Sequence, residues 1–144
     1  DTGAAEEQLN PSQMASNQSA SQALIDFFSY LEAGNYKEAA KLYGGEYRAL
    51  LSANRDLAIA DTEKLWERAC TVNGFQCLAV KQIVSGEEIS PGEHKFMVEF
   101  AGPADSLFTA KGCCGFEEGQ SQFPFIVKKI YGKYLVQDLP IYQP

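Results

Sequence analysis

The sequence predicts an α+β fold in which N-terminal helices pack on a curved antiparallel sheet. Three observations predict it. Up to about residue 74, apolar residues recur three and four apart, the spacing of one helical face. From about residue 77 they alternate instead, the spacing of a half-buried strand. Glycine and proline punctuation separates the segments, and all the helices precede all the strands. The chain has 144 residues, 45% hydrophobic and 12% aromatic, which suffices for one domain with its own core.

Residues 1–22, DTGAAEEQLNPSQMASNQSASQ, contain no aromatic side chain, no Lys and no Arg. Such a segment buries too little apolar surface to offset the entropy of ordering. It predicts a flexible tether over residues 1–21 and a domain over residues 22–144. In an exported protein the tether would join the domain to something upstream, a lipid anchor included. No signal peptide opens these residues; a mature or a truncated form would equally lack one. Asn17-Gln18-Ser19 fits the glycosylation acceptor pattern.

In SQALIDFFSYLEAG, Leu24, Phe27, Phe28 and Leu31 share one helical face, with Ser21 as the expected cap and Gly34 as the stop. In NYKEAAKLYGG, Asn35 and Glu38 have capping-box spacing, and Ala39, Leu42 and Tyr43 form the buried face. Tyr47, Leu50 and Leu51 suggest a further short helical piece. DTEKLWERACTVNG predicts the third clear helix, capped by Asp61 or Thr62. Its face is expected to be Leu65, Ala69 and Val72, its end Asn73-Gly74, and Trp66 is expected to pack in the core.

CLAVKQIVSG predicts the first strand, and Glu87 to Gly92 a turn. HKFMVEF alternates, with His94, Phe96, Val98 and Phe100 on one face. Gly102 to Gln120 predicts a long irregular loop. QFPFIVKKIYG and KYLVQDLPIY predict two more strands around a tight turn at Gly132-Lys133. Pro124 predicts an edge or a bulge.

The formal charge of −7 argues against nucleic acid and anionic membrane as partners, because both require clustered Lys and Arg. No segment approaches the roughly twenty apolar residues of a membrane helix.

The stretch FFSYLEAGNYKEAAKLYGGEY resembles the first two helices of the NTF2-like (cystatin-like, α+β cone) superfamily. GKYLVQDLPIY is similar to the closing hairpin of small bacterial secreted proteins and lipoproteins of that superfamily. The resemblance covers roughly residues 22–142 and implies a curved sheet wrapped around the helices. Its members include ketosteroid isomerases, dehydratases, polyketide cyclases and many binding or oligomerisation modules, so fold alone does not fix function. The superfamily's enzymes place an Asp, His or Tyr set deep in the cone, and no matching set aligns here.

The cysteines are Cys70, Cys77, Cys113 and Cys114. If the first two strands pair, the end of the third helix, the start of the first strand and the long loop meet at one end of the sheet. An even count in a small domain with a tether-like tail predicts two disulfides in an oxidising compartment. Four cysteines allow three pairings. A bridge between adjacent residues strains a tight ring, which favours the two crossed pairings over Cys70–Cys77 with Cys113–Cys114. The spacing is unlike that of zinc sites, and no C-x-x-C motif is present.

Four residues are candidate ligand contacts: Asp138, Tyr134, His94 and Asp26. His94 shares a face with Phe96, Val98 and Phe100 and would line a pocket if that face were internal. Its place beside a turn predicts solvation instead. Asp26 flanks the apolar face of the first helix, where the ordinary reading is a solvated carboxylate. A carboxylate in an apolar pocket with a raised pKa would serve as general base. Asp138 alternates with Tyr134 and Val136; if that face is internal it points inward near a rim, with Tyr43, Tyr47 or Tyr131 as hydrogen-bonding partners, but a rim carboxylate in water is the favoured reading. No phosphate-binding loop, nucleophile elbow or metalloprotease motif occurs, and no cofactor or metal is predicted. The expectation is a non-catalytic extracytoplasmic module, periplasmic, cell-surface or secreted, that binds a small apolar ligand or a protein partner. The alternatives are an isomerase- or cyclase-like enzyme with a pocket carboxylate, and a homodimer through an outer sheet face carrying Ile126, Ile130 and Leu135.

Overall fold

The computed structural model describes residues 11–111 and 119–144. Helix α1 spans Pro11–Ala33. Leu24, Phe27 and Phe28 are wholly buried and Leu31 nearly so. Gly34, at φ +81°, ends the helix. Its amide bonds the Leu31 carbonyl, and the Asn35 amide reaches back to Tyr30, which is the two-bond glycine stop of many helices. Residues 11–21 were expected to be tether and are helix. Ser21, the expected cap, lies inside it and donates to the Gln18 carbonyl at 2.9 Å. Pro11 suits a first helical turn because its missing N–H would have no partner there. No Gly or Pro interrupts the run before Gly34, and the wholly buried Ala20 extends the apolar stripe backward.

Three short helices follow: α2 (Tyr36–Ala40), α3 (Arg48–Ala53) and α4 (Thr62–Thr71). Two expected caps do not form. Asn35 makes no side-chain cap bond, and Glu38 pairs with Lys41 at 3.0 Å. Asp61 stands at the cap position of α4, but its carboxylate accepts the Ala58 amide. Helix α4 buries Leu65, Trp66 and Ala69. Val72 was expected on that face. It lies past the last turn and is 73% exposed.

Strands β2 (Val80–Ser90), β3 (Glu93–Phe100), β4 (Phe123–Ile130) and β5 (Lys133–Val136) form an antiparallel meander in that order. Strands β1 (Phe75–Gln76) and β6 (Ile141–Tyr142) make a separate antiparallel pair. The first long strand starts at Val80 rather than Cys77 and runs through the predicted turn, leaving Pro91-Gly92 as the reversal. The closing hairpin turns at Tyr131-Gly132, one residue earlier than expected. Both have positive φ, 51° and 79°, the backbone whose twist matches paired strands. The predicted last strand breaks after Val136, because the Gln137 amide and the Asp138 carboxylate both bond the backbone of Ile126. Pro124 pairs with Met97 on β3 and lies beyond the reach of β5, whose register ends at Val127, so its missing N–H leaves one flank of β4 open as expected.

The core lies between α1, α4 and the sheet. Phe28 meets Phe27, Phe100 and Phe125 edge-on at centroid distances of 5.1, 4.8 and 5.1 Å. Trp66 joins Phe27 and Tyr43 in the same way at 5.5 and 5.0 Å. Edge-to-face pairs add about 0.5–1.5 kcal/mol each beyond burial. The two sheet edges are protected differently. Segment Leu42–Gly44 runs along β5, exchanging two 2.8 Å bonds with Val136. Glycine is required in that approach, since a Cβ at Gly44 would stand 2.9 Å from the Leu135 Cβ. On the other side β2 carries three register shifts and the charges of Lys81, Glu87 and Glu88, features that discourage pairing with another chain.

Cys70 and Cys77 form a disulfide with Cα atoms 5.5 Å apart. The crossed pairings favoured from sequence are thereby overturned. The chain reverses at Asn73-Gly74, where Gly74 adopts φ +90°, and brings Cys77 straight back to the last turn of α4. Cys113 and Cys114 lie outside the described residues.

Tyr131 is wholly exposed and holds a left-handed backbone that costs an L-residue about 1–2 kcal/mol. Asn tolerates that conformation and is preferred before Gly in this turn. Tyr131→Asn is therefore expected to raise stability by roughly 0.5–1 kcal/mol, read as a higher urea midpoint. An unchanged or lower midpoint would contradict the turn assignment.

Candidate functional site

The structure brings two of the four predicted contact residues together. His94 on β3 and Tyr134 on β5 meet edge to face at 5.6 Å. His94 also stacks on Phe96 at 6.1 Å and is only 1% exposed. The expectation of a solvated histidine is overturned: the alternation of β3 turns His94 inward, and the N-terminal half of α1 covers it. Its Nδ1 lies 3.2 Å from Oδ1 of Asn17, a hydrogen bond when the ring carries its proton on Nδ1. The Gly86 site on β2 adjoins the same group, since a Cβ there would meet the Phe96 ring and approach Asn17. Asn17 is thus engaged in a packed contact within a helix, a poor acceptor for a glycan in the folded chain. Lys129 stands 5.6 Å above the opposite ring, that of Tyr134.

Asp26 and Asp138 do not join them. Asp26 remains on the solvent side of α1, accepting from Gln22 at 2.8 Å. Asp138, weighed between an inward polar anchor and a rim carboxylate in water, is neither. With β5 ended at Val136 the alternation stops, and the carboxylate accepts the Ile126 amide at 2.7 Å. It acts as a splice between β4 and the segment after β5. Its proposed phenol partners are engaged elsewhere or exposed. Tyr43 donates to the Glu46 carbonyl at 2.8 Å, Tyr47 accepts from the Trp66 indole at 3.0 Å, and Tyr131 is in solvent. Burial, then the proximity of Tyr47, Asp138 and Glu46, pushes the Tyr43 phenol well above its ordinary value. Burial also raises Tyr47, against the opposing indole hydrogen bond. Both phenols stay neutral at physiological pH and serve as packing and hydrogen-bonding groups.

Ile126, Ile130 and Leu135 share the outer face of the sheet, but each is half-buried, and Leu135 packs beneath Gly44. Lys95, Lys128 and Lys133 share that face by register. It lacks the exposed apolar character expected of a dimer surface. Among the described residues, no group of three or more His, Cys, Asp or Glu could hold a metal, and no helix is long and apolar enough to cross a membrane.

Helix α3 carries features the sequence reading did not single out. Open clefts flank it on both sides. One is lined by Phe75, Leu139, Pro140 and Tyr142 with Ala49 and Ala53. The other is lined by Tyr47, Leu51, Leu57 and Ile59 with Arg48 and Arg55. The only signal in the sequence is a pair of arginines seven residues apart in an acidic chain, which acquires meaning once Leu57 and Ile59 fold back beside them.

Two outcomes test this geometry. Burial holds the His94 pKa below its ordinary value of 6.5, partly offset by Glu88. The unfolded chain therefore binds the proton more readily. The stabilisation is complete above about pH 6.5 and is lost as the pH falls through the lower folded value. Urea midpoints are expected to drop between about pH 7.5 and about pH 5.5 by more in the native chain than in His94→Gln; equal drops would refute the neutral buried imidazole. Tyr47→Phe leaves the wholly buried Trp66 indole without its acceptor and is expected to cost about 1–3 kcal/mol, read by urea unfolding.

Compared with known proteins, the chain matches no family model, no curated protein and no solved structure.

Proposed function

We propose that the chain is a non-catalytic extracytoplasmic module of the NTF2-like type that binds a protein partner. The observation that carries this reading is the filled interior. Phe27, Phe28, Phe100 and Trp66 are wholly buried and Phe125 almost so, and their rings contact one another across the space between helices and sheet. An apolar ligand needs a preformed cavity, and in this fold the interior is the natural place for one. With that space taken by side chains, binding falls to the surface, where a protein partner is the fitting occupant. Helices followed by an antiparallel meander support the NTF2-like assignment. The Cys70–Cys77 disulfide supports an oxidising compartment.

The reading with a pocket carboxylate as general base gains no support. Asp26 is bonded to Gln22 at the surface, and Asp138 is occupied by a backbone amide. The one buried titratable group of the predicted set, His94, is packed between Phe96, Tyr134 and Asn17.

The test opposes a small apolar probe to the intact interior. Titration of the native chain with N-phenyl-1-naphthylamine is expected to give no saturable fluorescence increase, and native mass spectrometry of protein from its source is expected to return the bare polypeptide mass. Stoichiometric dye binding or a co-purified lipid would replace the protein-binding reading with the ligand-binding one. Non-reducing peptide mapping of the same sample is expected to return Cys70 joined to Cys77; free thiols at both positions would remove the extracytoplasmic assignment.

A further inference from the structure

The cleft beside α3 combines three features. Its floor is apolar: Leu51 and Leu57 are half-buried, and Ile59 is 55% exposed. Tyr47, anchored by the Trp66 indole, contributes a rigid aromatic wall. Arg48 and Arg55 are both exposed along it. Of the three arginines, Arg68 is held by Asp56 through two 2.8 Å bonds. Arg48 and Arg55 have no carboxylate within ion-pair distance among the described residues. Glu46 also lines the cleft, leaving one net positive charge on it (two arginines less one glutamate) in a chain of net charge −7.

A guanidinium presents a planar fork that matches a carboxylate. Arg48 opens helix α3 and Arg55 follows its Asn54 stop, so the two stand near opposite ends of a six-residue helix, roughly 9 Å long. A single carboxylate does not span that separation, whereas a polypeptide with spaced acidic side chains does. The acidic remainder of the surface repels a long acidic partner, so the match is to a short segment. We propose that this cleft docks a short acidic segment of a partner protein, with aliphatic side chains against Leu51, Leu57 and Ile59 and carboxylates on Arg48 and Arg55. The assignment rests on the protein-binding reading above and names its surface and the chemistry of its partner.

The test is fluorescence anisotropy of the full chain with two labelled peptides of equal length, one of leucine and glutamate, the other of leucine and lysine. The glutamate peptide is expected to bind saturably and more weakly as salt is added. The lysine peptide is expected not to bind. Arg48→Gln/Arg55→Gln is expected to weaken binding about tenfold or more, and Lys128→Gln/Lys133→Gln on the sheet to leave it unchanged. All four positions are exposed or at a strand end, and a thermal transition within a few degrees of native verifies folding. Equal binding of both peptides, no binding of the glutamate peptide, or its displacement by dodecanoate overturns the proposal. Binding that survives loss of the arginines and falls with loss of the sheet lysines overturns the cleft and leaves the protein-binding module intact. Failure of the peptide together with a co-purified lipid overturns both.

Discussion

The structure depends on one aromatic contact group, the rings of Phe27 and Phe28 on α1 against Trp66, Tyr43, Phe100 and Phe125. These side chains come from α1, α4, the segment after α2, and strands β3 and β4, so the group joins the helices to the four-stranded sheet. Phe27 and Phe28 are adjacent in sequence, and their rings diverge by 73°. One side of the pair thereby serves the helical layer and the other the sheet. Close packing of that kind leaves little room for volume changes. The space between helices and sheet is occupied here by phenyl and indole rings.

What the sequence made legible was periodicity within single elements. Leu24, Phe27, Phe28 and Leu31 declared the buried face of α1, and the alternation from His94 to Phe100 declared the inner face of β3. Less legible was anything set by where one element meets another. The extension of α1 back to Pro11 has little apolar signal of its own. It covers β2 and β3 through small and polar side chains such as Ala20 and Asn17, residues whose composition reads as linker. The same contact explains His94. Its position beside a hairpin suggested water, and the extended helix excludes it.

The candidate site followed the same division. The inward facing of Tyr134 and His94 is written in the alternation, while the turn beside His94 argued for water. The inward reading of Asp138 fails because it carries alternation one step past the end of its strand, and the bond from Ile126 that ends the strand joins residues 12 apart. The disulfide was misjudged for an opposite reason. The strain of a bridge between adjacent cysteines pointed to crossed pairings, and a local reversal at Gly74 brought Cys70 and Cys77 together.

The surface around α3 shows how short elements acquire chemistry from their neighbours. A helix of six residues is too short to be stable alone. Leu50 anchors it in the core, and the wholly engaged Asn54 fixes its end, donating to the Leu50 carbonyl and to Asn73, both at 2.8 Å. That fixed end sends residues 55–60 back along the helix and sets Leu57 and Ile59 beside Leu51. Arg48 and Arg55 then share a cleft through the geometry of a helix stop. Arg68, the third arginine, is held by Asp56, the residue directly after Arg55, and that bond braces the returning segment against α4. One arginine is thus committed to building the wall of the cleft, and two are left along it with no carboxylate in ion-pair distance among the described residues.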